Sequence, residues 1–235
     1  MTLAPLATAL LGGVVALDAT PVGQTMISQP LVVATVLGAL WGDWRTAFEV
    51  GIVLQILAAC TLPVGARTPE DYATGSVIGI GVALALAQRR SFLVTHEASE
   101  LLGVGVGLVA AIGSVPLLRW QRRLNEGLSR WCESEIREGR EEALGAAHRA
   151  AVGLAFGVGV AYTAAFLMAG SWSLAVPCER ESLRLAKAWW LAQPLWLGLG
   201  LAQVLNAFVQ RRPLRGAAFG AALIGAWLVL MVGAS

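Results

Sequence analysis

From Asp18 to Ser76 the chain is strongly apolar, yet no uninterrupted membrane span can be cut from it. Pro21 and Gly23, then Pro30, then Gly42 and Asp43, then Pro63, Gly65 and Pro69 divide the stretch into short pieces. A proline has no amide hydrogen to donate and crowds the preceding turn, so each one predicts a helix end or a kink. The piece from Leu31 to Gly42 is only about twelve residues, roughly 18 Å as a helix at 1.5 Å per residue. A hydrocarbon core of about 30 Å needs about twenty residues. Broken apolar segments carrying isolated polar side chains are how membrane proteins build solute sites near the midplane. Backbone freed from helical hydrogen bonding is tolerated there only when buried in protein or lining a wet cavity. Residues 18–76 are therefore the candidate working region.

Composition decides what surrounds that region. The chain is 57% hydrophobic and 14% charged, against about 25% charged residues in soluble domains. A soluble helical bundle would have to hide apolar stripes far wider than one helix face. The fold class expected is an all-α integral membrane protein. It would be a multi-span bundle with broken or re-entrant short helices in its N-terminal half, forming one membrane-embedded domain over 1–235. A net charge of +2, with no basic stripe interleaved with aromatics, argues against nucleic acid. Cys60, Cys132 and Cys178 form neither a metal pattern nor a disulfide framework and read as small buried hydrophobes. The N-terminal apolar run has no Lys or Arg before it, which favours a retained first helix over a signal peptide.

Along the chain, Leu3–Leu17 predicts a first helix, and Ala73–Ala87 a Gly-containing apolar one ending in Gln88-Arg89-Arg90. Ser91–Glu100 reads as a polar connection, and Leu101–Leu118 as a clean span ending at Pro116 and Arg119. Residues 119–149 hold seven arginines and six glutamates, which sets them outside the hydrocarbon. Leu124, Leu128 and Trp131 fall at i, i+4 and i+7, as in an amphipathic helix. It either lies along the membrane face or serves as a solvated connector. Ala150–Met168 predicts a second clean span. Ser171–Gln193 reads as an amphipathic connection with Trp189-Trp190 at headgroup level, and Pro194–Val209 and Gly216–Val232 as further spans. The arginine-rich 119–149 and 210–215 fall on one side, which the positive-inside rule makes cytoplasmic. Arg89-Arg90 then falls on the other side, against that rule.

The core carries an ordered set of motifs: Gly23-Gln24-Thr25-Met26-Ile27-Ser28-Gln29-Pro30, Leu37-Gly38 to Gly42-Asp43, Thr46, Gly51, Leu54, Leu62-Pro63-Val64-Gly65-Ala66 and Pro69-Glu70-Asp71-Tyr72-Ala73. In order and spacing this set resembles the IIC permease subunit of the mannose–fructose–sorbose class of bacterial sugar phosphotransferase systems. The charged stretch after Leu118 falls where that family has its cytoplasmic helix. The resemblance covers most of the chain and weakens after about Gly153. It implies a multi-pass subunit of the bacterial inner membrane that carries a hexose-type sugar inward. Its implied partners are a IID membrane subunit, with which it would form a hetero-oligomer, and cytoplasmic IIA and IIB phosphocarriers. The subunit would have no phosphorylation site of its own, so His96 and His148 need not be catalytic. Two departures stand out: Gln55 where the family usually has an acidic residue, and Gln29 where it often has Arg.

Substrate-binding candidates are Gln24, Ser28, Gln55 and Asp71. Gln55 sits in GIVLQILAAC, where a polar side chain needs a partner: a sugar hydroxyl or a neighbouring helix. Gln24 and Ser28 flank the first break and would contact ligand or cap free backbone. Asp43 reads as a turn or N-cap residue, and Asp71 as an N-cap or, alternatively, as a residue lining the sugar path. Gln203, Asn206 and Gln210 form a polar stripe suited to a partner subunit. No His, Cys or carboxylate cluster has catalytic or metal spacing, so no catalytic residue, metal or cofactor is expected. The rival to a permease is a non-transporting membrane scaffold or sensor derived from the same fold.

Overall fold

The computed structural model describes residues 3–19, 22–23, 25–59, 70–89, 94–208, 213–214, 216–221 and 224. Among them the regular elements are α1 (Ala4–Ala19), α2 (Pro30–Trp41), α3 (Trp44–Ala58), α4 (Tyr72–Ala87), α5 (His96–Arg137), α6 (Glu142–Ser173), α7 (Ala175–Arg180) and α8 (Ser182–Phe208). Local chemistry sets the early boundaries. Pro30 opens α2, where its missing amide costs nothing, and Gly42 closes it at φ 71°. Asp43 caps α3 by accepting from the Thr46 amide, and Asp71 caps α4 by accepting from the Thr74 amide, both at 3.1 Å. Thr95 does the same for α5. The first four helices run 12 to 16 residues, roughly 18 to 24 Å and too short to cross alone.

The centre of the bundle is α4. It carries no charge, and Thr74 through Leu84 are all buried, as a helix apolar on every side requires. Its most extensive neighbour is the antiparallel α5, and glycines make that approach possible. A Cβ on Gly79 would stand 2.7 Å from the Gly103 carbonyl oxygen, and one on Gly75 would stand 2.7 Å from that of Gly107. Small residues four apart on both helices, Gly75, Gly79 and Ala83 against Gly103, Gly107 and Ala111, let the backbones touch. On the other side α1 lies antiparallel to α6. Gly12 packs there against Thr163, and Gly159 against Ala16.

Among the described residues, α5 and α6 are long and apolar enough to cross a membrane. They correct the expected boundaries. Pro116 does not end the helix: α5 runs through it for 42 residues. A proline removes one amide and strains one turn, and helix on both sides carries the axis across it. The charged residues 119–149 are helical, as their spacing predicts, and run on continuously from the apolar parts of α5 and α6. They form the ends of a helical hairpin made by α5 and α6, turned at Gly139 with φ 83°. There Arg140 pairs with Glu135 and Glu138, and Arg140 holds the Glu135 carboxyl below its usual range. Ser171–Gln193 is likewise helical almost throughout, in α6, α7 and α8, and α8 passes through Pro194. The tryptophan pair is split: Trp189 is buried in the core and Trp190 is exposed. Successive helical residues point about 100° apart, so only one of an adjacent pair can face inward. Gln210 and most of Gly216–Val232 lie outside the described residues, as do the side chains of Gln203 and Asn206.

At the end of the bundle where α2 meets α3 and α4 meets α5, polar contacts knit the helices. Trp41 Nε1 donates to Thr8 Oγ1 at 2.9 Å, Gln88 Nε2 to the Trp41 carbonyl at 2.6 Å, and Arg45 to Glu97 at 2.7 Å. His96 Nδ1 lies 2.8 Å from Thr46 Oγ1. Glu100 is buried beside this cluster, with neither carboxyl oxygen partnered among the described residues.

The glycine contact yields a paired test. Gly79→Val should lower the thermal midpoint of the detergent-purified protein by the equivalent of about 1–3 kcal/mol, the usual cost of overpacking. Gly105→Ala meets nothing within 4 Å and should hold or raise it, since glycine inside a helix costs roughly 0.5–1 kcal/mol relative to alanine. Equal losses for both would refute close packing as the cause.

Candidate functional site

Because α1 to α4 alternate in direction, the last turn of α1, the first turn of α2, the last turns of α3 and the first turn of α4 come to one end of the bundle. This is the end opposite the Trp41 and His96 contacts. Of the candidate site residues, Ser28, Gln55 and Asp71 lie in the segments that meet there. Gln24 lies outside the described residues.

The α1–α2 turn is held by a residue that sequence reasoning used only as a boundary. Asp18, buried in the last turn of α1, turns its carboxylate into the following loop. Its Oδ1 accepts from the Thr25 amide at 2.6 Å and from Thr25 Oγ1 at 2.7 Å, and its Oδ2 accepts from the Ser28 amide at 3.0 Å. Two more bonds complete the turn, Val22 N to the Leu17 carbonyl and Gln29 N to the Met26 carbonyl. Met26 takes φ 68°, a left-handed conformation uncommon for such a side chain, and the Asp18 bonds flank it on both sides. Ser28 is half-buried with its amide engaged by Asp18. One sequence signal pointed to this arrangement: an acidic residue at the end of an apolar helix needs donors, and the turn after it supplies them.

Gln55, half-buried one turn from the end of α3, makes the interhelical contact that was one of its two readings. Its Oε1 accepts from the Leu31 amide at 3.3 Å, and its Nε2 donates to Gln29 Oε1 at 2.8 Å. The two departures from the family pattern are thus in contact with each other across 26 residues of chain. No local signal in the sequence could have joined them.

Asp71 stands elsewhere on the same end. Besides capping α4, it is tied to α5 through its amide, which donates to the Ala111 carbonyl at 3.2 Å and to Ser114 Oγ at 3.3 Å. It lines a shallow open cleft between α1, α4, α5 and α6. Thr74, Ser114, Gln121 and Tyr162 give that cleft its polar groups, and Ala16 and Gly159 form part of its floor. Tyr162 is anchored by donating to the Ala110 carbonyl at 2.8 Å. Neither Gln29 nor Gln55 lines the cleft, so the candidates form two groups: Ser28 and Gln55 around the start of α2, and Asp71 on the α5–α6 side. Ser114, Gln121 and Tyr162 were missed because their spans read as uniformly apolar or, past Leu118, as outside the membrane.

Asp18 can be tested directly. Hydrogen bonds to a charged acceptor contribute about 1.5–3 kcal/mol. Asp18→Ala should therefore speed limited proteolysis within residues 22–29 and lower the thermal midpoint. Asp18→Asn, which retains one acceptor, should fall between. A native cleavage rate in Asp18→Ala would show that the carboxylate does not hold the turn.

The profile of the family described as PTS system sorbose-specific IIC component matches residues 3–177. No curated protein sequence matches the chain. Two solved structures share the fold over 100% of this chain and 94% of their own. One is described only as a membrane protein, with TM-score 0.70 and 19% identity. The other is the mannose transporter ManYZ in complex with microcin E492, solved by cryo-electron microscopy, with TM-score 0.58 and 17% identity.

Proposed function

The chain belongs to the family of sorbose-specific IIC components of phosphotransferase systems, and on that premise we propose that it carries a hexose-type sugar inward across the bacterial inner membrane as the IIC subunit of such a system. It is a membrane subunit, and its fold is that of membrane proteins. The observation that carries the finer reading is the convergence of four helix ends at one end of the bundle, with polar side chains on three of them. Helix ends leave backbone donors and acceptors free, and in a membrane such groups belong where protein or water can satisfy them.

In this reading the sugar sits among Gln24, Ser28, Gln55 and Asp71. Hydroxyl groups would exchange water for the side-chain amides on one side and the Asp71 carboxylate on the other. A IID subunit covers the exposed apolar faces, and IIA and IIB deliver phosphate at the cytoplasmic side, where the arginine-rich α5–α6 hairpin places itself by the positive-inside rule. This chain binds and moves the sugar, and its partners phosphorylate it. Support for a IID partner comes from the fold shared with one component of a transporter solved as ManYZ.

A second reading, a scaffold or sensor that docks partners without moving solute, draws on one observation. Gln55 already has both ends of its amide engaged within the protein.

Proteoliposomes containing this chain, its IID partner, IIA, IIB and a phosphate donor separate the two. Transport predicts phosphate-dependent accumulation of a hexose, with Asp71→Ala lowering it about tenfold or more while the membrane complex still assembles. A tenfold loss corresponds to about 1.4 kcal/mol, within the range for a hydrogen bond to a charged group. An assembled complex that neither binds nor carries any hexose, hexosamine or sorbose would leave the scaffold reading standing.

A further inference from the structure

The glutamine pair determines what the site asks of its ligand, and this inference rests on the transport reading above. The amide of Leu31, in the first turn of α2, has no carbonyl of its own helix to meet. It is a donor and can only be matched by an acceptor, so Gln55 must turn its oxygen to it. That fixes the second step: Gln55 Nε2 points to Gln29, and Gln29 must present its own oxygen to receive it. The backbone of α2 thereby sets both amide orientations in turn. Two side-chain amides bring four N–H groups, one of which is used between them, leaving about three as the free valences of the pair. The side chains of Gln29 and Gln55 have no further partner among the described residues. Gln29 is exposed and Gln55 half-buried, so these hydrogens are open to a ligand.

A surface that offers N–H groups matches an oxygen that only accepts. A hydroxyl oxygen accepts from them too, but it must also place its own hydrogen, which a carbonyl oxygen need not. The Asp18 carboxylate lies in the turn immediately before, bonded to Thr25 and Ser28. A negatively charged ligand oxygen would be opposed by it, whereas a neutral carbonyl would not. We propose that Gln29 and Gln55 act as one specificity-determining unit that selects an amino sugar bearing an N-acyl group, whose carbonyl oxygen accepts from the outward amide of Gln29.

The test uses the complex with its IID partner and compares binding of N-acetylglucosamine and N-acetylgalactosamine with that of glucosamine, mannose and glucuronate. The informative variant is Gln29→Glu. It keeps an oxygen to receive Gln55 Nε2, so the α2–α3 contact survives, and replaces the outward donor by an acceptor. The native complex should prefer the N-acetylated sugars by about tenfold or more, and Gln29→Glu should erase that preference while leaving the thermal midpoint near native. Gln29→Ala, which breaks the contact, should lose both the preference and stability. Mannose or glucosamine bound as well as the N-acetylated sugars, or a preference unmoved by Gln29→Glu, would overturn the inference and leave transport intact. Preference for glucuronate would overturn it too, by showing that charge and not the acyl carbonyl is read. No binding of any sugar would overturn the transport reading itself.

Discussion

The backbone contact between α4 and α5 is the constraint on which the rest of the bundle depends. Among lipid tails an apolar side chain gains nothing by leaving the solvent for another apolar surface, so helix association draws on close van der Waals packing and on interhelical hydrogen bonds. Packing of that kind rewards small residues, because each pair of atoms contributes only about 0.1–0.2 kcal/mol and the sum grows steeply as backbones approach. Gly75, Gly79, Gly103 and Gly107 supply that approach. With α5 held there, Ala111 and Ser114 fall at the height where the Asp71 amide needs acceptors. The start of α4 and the edge of the cleft are thus fixed by the same contact that packs the core.

The short helices follow from that arrangement. A segment of 12 to 16 residues cannot span the hydrocarbon by itself, so its ends fall within the protein, where their free backbone groups must be met. Several of these helix ends meet them with a specific side chain. Asp43 and Asp71 cap α3 and α4, Gln55 reaches back to α2, and Asp18 gathers the α1–α2 turn. What makes the N-terminal half unsuited to simple spanning is what equips it with fixed polar groups.

Much of this was legible from local signals. The bounds of α2 could be read from Pro30 and Gly42, and the two aspartate caps from their positions before apolar runs, because caps and breaks act within a few residues. The apolar excess and its interruptions pointed to a helical membrane bundle. Continuity of α5 through Pro116 and of α8 through Pro194 was not legible. A proline states the local cost, and whether that cost is met depends on packing that the sequence does not display. The burial of Trp189 beside an exposed Trp190 depends on which way α8 faces. Above all, Gln29 and Gln55 read as two separate losses, a missing base and a missing acid. In three dimensions they are one hydrogen-bonded pair.

That pair fits a wider pattern at this end of the molecule. Asp18 gives its oxygens to the amides of Thr25 and Ser28, Asp71 gives one to Thr74, and Gln55 gives its own to Leu31. In every case the donor is a turn or helix-start amide with no carbonyl to receive it, and in every case a side-chain acceptor is drawn inward to match it. Acceptors recruited to the backbone cannot also face a ligand with the same lone pairs. Donors are what remain on the open side around α2, while in the proposed transport reading Asp71, with a second oxygen and a cleft before it, would offer hydroxyl groups an acceptor. The division of the candidate residues into two groups is therefore also a division of chemistry. A ligand bridging both would have to carry an accepting oxygen toward α2 and donating hydroxyls toward α4, a requirement that follows from how the helix starts are satisfied.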